Sequence, residues 1–135
     1  MTDLVMYGQL LFVISALFAK NKVTLFALIP SLLYSTFEHL VIGKKVRKLM
    51  GWSGKGVSTL QNELGIMQLM LLVAAIWGAW KRERIVEATV GIVWGLSLIV
   101  MGIQHFLTSR GSAIPVGIID ISLGFIFILV YHQYL

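Results

Sequence analysis

The sequence predicts an all-α, polytopic transmembrane bundle of five spanning helices, and three observations predict it. Hydrophobic residues make up 58% of the 135-residue chain and charged residues only 13%, with a mean hydropathy of +0.88. A soluble domain typically carries about a quarter charged residues, and a small one exposes too much of its surface to tolerate this composition. The apolar residues are gathered into five continuous runs, 4–19, 23–42, 60–80, 85–107 and 114–134, separated by polar breaks. Finally, the runs do not alternate in polarity as barrel strands do. Lipid leaves helices as the other spanning structure, because it satisfies no backbone amide or carbonyl. The chain reads as one domain, 1–135, with four spans if the first run does not cross.

A span needs about 20 helical residues, with a range of about 17 to 25. The last four runs meet this length, and the first does so once Thr2 and Asp3 join it. That first run lacks a basic leader and a small-x-small pattern before Lys20, so it is expected to be a retained helix rather than a signal peptide. After the second run, Lys44, Lys45, Arg47 and Lys48 take one helical face, while Val46, Leu49 and Met50 take the other. With Trp52 at headgroup depth, this suits a short helix on an anionic membrane surface. An ordinary basic loop reads equally well. The segment 51–56 lacks the glycine spacing and Lys-Ser/Thr pair of a phosphate-binding loop.

The chain has no cysteine, which excludes disulfides, thiolate metal sites and haem attachment through Cys. Its net charge of +5 fits basic loops against anionic headgroups rather than nucleic-acid binding. Six cations fall on one side of a five-span topology (Lys44, Lys45, Arg47, Lys48, Lys55, Arg110) and five on the other (Lys20, Lys22, Lys81, Arg82, Arg84). The positive-inside rule is nearly balanced, and the dense 44–48 cluster tilts the N-terminus inward, in a bacterial plasma membrane.

Alternation of the spans sorts the polar residues by depth. Glu38 and His39 end the second run, Gln61, Asn62 and Glu63 start the third, Gln104 and His105 end the fourth, and Asp120 lies about two turns into the fifth. All fall in one leaflet, on the side of the long loop, and the opposite halves are expected to carry Trp77, Trp80 and aliphatic residues. Ser31, Tyr34, Ser35 and Glu38 form one polar stripe at i, i+3/i+4 spacing. His105 shares a face with Gly91, Trp94, Leu98 and Gly102. Asp120 shares one with Gly117, Gly124, Phe127 and Tyr131. Small residues admit close helix packing, so both faces are expected to point inward. The small-residue pairs Gly91/Gly95 and Ala74/Gly78 could also serve a homodimer. Ionisable groups inside spans usually face partners or water, and these carboxylates have no intramembrane Lys or Arg. They need protonation, histidinium, a bound cation or water. The expected pocket is therefore Glu38, Glu63, His105 and Asp120, ringed by Tyr34, Ser35, His39, Asn62, Gln104 and Tyr131.

Glu63-Leu64-Gly65, Gly102-Ile103-Gln104-His105 and Asp120, preceded by Gly51-Trp52, resemble a family of small bacterial membrane proteins that is loosely DoxX-like. The resemblance covers roughly residues 50–125 and implies a helical bundle with Glu63, His105 and Asp120 selected. Where that family has Ala-Asn after its acidic-x-Gly motif, this chain has Met67-Gln68.

Three function classes follow. A bundle that binds or translocates a cation, proton or small ligand fits the acidic and His groups at one depth. A membrane-embedded acid–base enzyme on a lipid-soluble substrate uses the same groups. An accessory subunit of a membrane complex would use the cluster for docking. No nucleotide signature, catalytic Ser/His/Asp pattern or HExxH motif is present; two His and the carboxylates leave a metal site open, although no ligand pair has the i, i+4 spacing of one helix.

Overall fold

Pro30 shapes the second helix. It has no N–H to donate four residues back, and its ring crowds the carbonyl there. The chain answers with a π-helical turn over Thr24–Leu28 before α2, Ile29–Leu40, the wider winding that accommodates such an interruption. The uniform span expected over 23–42 is thus two unlike segments. The computed structural model describes residues 2–19, 22–50, 52–54, 56–108 and 114–135, with the side chains of 2–6, 9, 49, 50 and 108 left aside. The polar breaks expected at 20–22 and 108–113 fall largely outside the described residues, as do Gly51 and Lys55.

The remaining elements are α1, Thr2–Phe18, α3, Gly43–Met50, α4, Val57–Lys81, α5, Arg84–Thr108, and α6, Ile114–Tyr131, which ends in a 3-10 turn at His132–Tyr134. Among the described residues there is no strand. Three helices are long and apolar enough to cross a membrane: Val57–Lys81, Arg84–Leu107 and Ile114–Tyr134. α1 has 17 residues and α2 only 12. Pro115 sits in the first turn of α6, where a missing N–H costs nothing. Between α4 and α5, Arg82 adopts a left-handed φ of 59°, and the Glu83 amide donates to the Gly78 carbonyl at 2.9 Å, closing α4 and reversing the chain.

Glycines set the helix spacing. A Cβ on Gly95 would lie 2.7 Å from the Gly124 carbonyl oxygen, and one on Gly102 would lie 2.6 Å from that of Gly117. α5 and α6 therefore touch backbone to backbone, as small-residue faces allow in membranes. α2 and α4 meet similarly at Gly65, where a Cβ would come within 2.6 Å of the Leu40 side chain. The faces carrying Gly91, Gly95 and Gly78 lie against other helices of this same chain, Gly91 beneath the Tyr131 ring and Gly78 beside Val86 and Glu87.

The middle of the bundle is dry. Ala27, Leu28, Leu32, Trp94, Leu98, Leu123 and Phe127 are all buried there. Outside, α1, the π-helical turn and α2 expose Leu10, Leu11, Ile14, Leu17, Phe26, Leu33 and Phe37, and the long helices expose a similar apolar belt. An apolar surface this extensive is an interaction surface, not a water-facing one.

Candidate ligand pocket

α2 contributes the stripe of Ser31, Tyr34, Ser35, Glu38 and His39 to a cavity of about 120 Å³ at the α3 end of the bundle. α4 adds Gln61 and Leu64, α5 adds Trp94, Leu98, Met101, Gln104 and His105, and α6 adds Val116, Asp120 and Leu123. Helical spacing accounts for the set, because the buried face of each helix is the one that carries its glycines or serines. On α6 that face runs Val116, Gly117, Asp120, Leu123, Gly124, Phe127, Tyr131.

His105 and Asp120 form a buried pair across the α5–α6 contact, Nε2 to Oδ2 at 3.5 Å, with side chains 7% and 3% exposed. Tyr34 stands one turn before Glu38 on the same face of α2, and both line the cavity. The Trp94 indole N–H donates to the Ser31 hydroxyl at 2.9 Å, fixing the cavity floor. Phe12 of α1 packs edge-on against Tyr34 at 5.7 Å.

α3 and the loop after it form the roof. Val46 is buried against Val116, with Ile42 and Trp52 packed around them. Arg47 donates to the Gln61 amide oxygen at 2.5 Å. The Trp52 ring lies parallel to the His105 imidazole, 5.8 Å away with 5° between the planes. The basic segment is thus a helix, as one of the two sequence readings has it, but two of its expected headgroup residues turn inward. Arg47 bonds within the bundle and Trp52 lines the cavity. Lys44, Lys45 and Lys48 remain exposed.

The polar inventory of this cavity is incompletely satisfied. Among the described residues, Glu38 Oε1, His39 Nδ1, Trp52 Nε1, Gln61 Nε2 and His105 Nδ1 are buried without a hydrogen-bond partner. Native interiors leave few such atoms, and five on the walls of one cavity is a concentration.

Of the residues expected to converge, Glu38, His105 and Asp120 do so, with Tyr34, Ser35, His39 and Gln104 around them. Glu63 and Asn62 do not, since both are exposed. The buried face of α4 runs Gln61, Gly65, Gln68, Leu72, Ala75, Gly78, and Glu63 stands about 200° around the helix from Gln61. Gln61, four residues before Gly65 on the glycine face, is the α4 residue in the cavity. Tyr131 is also displaced from the expected ring. It shares Asp120's face but lies about 16 Å farther along the axis.

Tyr131 belongs to a second polar cluster, in the half expected to hold only tryptophans and aliphatic residues. Its hydroxyl pairs with Thr24 Oγ1 at 2.7 Å, and Thr24 donates to the buried Glu87 carboxylate. Arg84, half exposed, closes an ion pair with Glu87 at 3.4 Å. Glu87 escapes a reading by composition because it follows the charged run Lys81–Arg84 and looks like its continuation. Its spacing from Gly91, four residues on, is the signal that places it inward.

Among the described residues, no three His, Asp or Glu side chains converge as metal ligands. Comparisons with protein-family models, with curated proteins and with solved structures find no match.

Proposed function

We propose that the chain crosses the bilayer five times as a multi-pass membrane protein, and that the cavity under α3 is a one-sided binding pocket for a small polar group. Five crossings are supported by the apolar belt, which continues over α1 and α2 although these helices are short. At 1.5 Å per residue α1 extends about 26 Å, close to the hydrocarbon thickness.

The observation that carries the pocket reading is the set of five buried polar atoms without partners around one cavity. Each such atom costs about 1–3 kcal/mol when left unpaired, and a bound polar group offsets that cost. The dry layer of Leu28, Trp94, Leu123 and Phe127 beneath the cavity supports binding over conduction, because a hydrated path has no polar lining there. Native mass spectrometry of the purified protein tests this. A small adduct at one copy per chain is expected, and it should be lost in Asp120→Asn and Gln61→Leu. An adduct retained in both variants would sink the reading.

A second reading is favoured by one detail. His105 is oriented by Asp120 through Nε2 and has Nδ1 without a partner on the cavity wall, which is the arrangement of a general base with its orienting carboxylate. Chemical change of the bound molecule during incubation would select this acid–base enzyme over a binding protein.

A further inference from the structure

A cavity of about 120 Å³ holds a head group of a few heavy atoms and no more. A second opening lies beside it. α4 and α5 pack closely at their turn, where Gly78 meets Val86 and Glu87. Farther along, a groove of about 410 Å³ separates Leu64, Met67 and Leu71 of α4 from Val93, Leu96 and Val100 of α5. Apart from Gln68, Ser97 and Gln104 its walls are apolar, and they run into the exposed apolar belt. Leu64, Trp94, Met101 and Gln104 line both the groove and the cavity, so side chains alone separate them. Trp94 is held by Ser31, whereas Met101 is unbranched and half-buried, a side chain suited to yielding.

The unpartnered atoms define the head. The Trp52 N–H and the Gln61 amide N–H₂ are donors only and need an acceptor. A cationic amine, which only donates, leaves them unsatisfied. An anionic head adds a negative charge beside the carboxyl groups of Glu38 and Asp120. Glu38 Oε1, as a carboxylate oxygen, needs a donor. Within the groove, Gln68 is 4% exposed and its Oε1, an acceptor only, is also without a partner among the described residues. A hydroxyl both donates and accepts. Gln68 stands two turns from Gln61 on the same face of α4, a polar foothold on the way from mid-bilayer to the cavity.

From this geometry we infer that the pocket takes an uncharged amphiphile that enters sideways from the bilayer, with a hydroxyl head against Trp52, Gln61 and Glu38 and an apolar body in the α4–α5 groove. The inference rests on the pocket reading above and adds the class of ligand and its route.

Photolabelling in bilayer nanodiscs tests both parts separately. The first probe is decanol with a diazirine midway along its chain, and the second is butanol with a diazirine. The decanol probe should label Met67, Leu71, Leu96 and Val100 saturably, and unlabelled decanol should displace it. Decyl methyl ether, which cannot donate, should displace it about tenfold less well, as loss of one hydrogen bond to a buried group implies. Decanoate and decylamine should also be weaker competitors. The butanol probe should label Trp52 and His105. Ser97→Phe, which narrows the groove without touching the cavity lining, should abolish decanol labelling and spare butanol labelling. Decanol label spread equally over Phe26 and Leu129 overturns the route, as does labelling unchanged by Ser97→Phe. Equal displacement by ether and alcohol overturns the hydroxyl head. Butanol labelling absent from the cavity removes the pocket reading, and the inference with it.

Discussion

The two ends of this bundle bury similar chemistry and treat it in opposite ways. Near the α4–α5 turn, Glu87 has Thr24 and Arg84 as partners, and Thr24 is shared with Tyr131. Near α3, Glu38, His39, Trp52, Gln61 and His105 each keep a buried polar atom without a partner among the described residues. A network closed on itself holds helices together, whereas one left open is placed to receive something. Burial alone does not separate structural from functional polar residues here, since Glu87 is 4% exposed and Glu38 8%. Satisfaction does.

The strongest way to break the contrast is to part the helices that carry both ends. Gly124→Val puts a Cβ within 2.4 Å of the Gly95 carbonyl oxygen. It should destabilise the protein by about 3 kcal/mol or more, read as a fall in Tm in detergent together with loss of the bound adduct. Next in size is Glu87→Ala, which strips Thr24 and Arg84 of their shared partner. It should cost about 2–3 kcal/mol while leaving adduct binding per folded molecule unchanged. If binding falls as sharply as stability, the two ends are not independent.

The opposite sign is expected at the cavity. His39→Leu removes an unsatisfied imidazole and should raise stability by about 1 kcal/mol, read as a higher Tm, while weakening adduct retention. A lower Tm would show His39 to be satisfied and the contrast overdrawn. The smallest effect is expected from Trp52→Phe, which keeps a ring on His105 and deletes only the indole N–H. It should change stability by less than about 0.5 kcal/mol, since the surrounding packing is kept, and should still weaken adduct retention measurably.

Much of this contrast is legible in the residues, and the rest is hidden for identifiable reasons. Glycines four and seven residues apart mark the inward faces of α5 and α6, and His105 and Asp120, each three residues after one of them, are turned by that register toward the bundle interior. The serine–tyrosine stripe does the same for Glu38. Glu63 illustrates the limit of depth as a criterion. Its position near the start of a span fixes its level in the bundle but not its azimuth, and a step of two residues turns the carboxylate outward while Gln61 goes in. Tyr131 shows the converse, an azimuth correctly shared with Asp120 at the wrong depth. The roof is not readable from spacing, because Arg47 and Trp52 reach partners that are close only after α3 folds over the cavity mouth.

The glycine contacts between α5 and α6 have a mechanical consequence. Where a carbonyl oxygen occupies the space of an absent methyl, two helices can neither rotate nor slide without collision, and the pair behaves as a single stiff beam. α4 is pinned to that beam at Gly78, beside the Glu87 amide, and farther along it faces α5 across an open groove. Away from the turn α4 is held by α2 at Gly65, against Leu40 and His39, and not by the beam. Spin labels on α5 and α6 should keep one sharp separation at every temperature. Labels at Met67 and Val100 should report a broader distribution that narrows when the groove is filled.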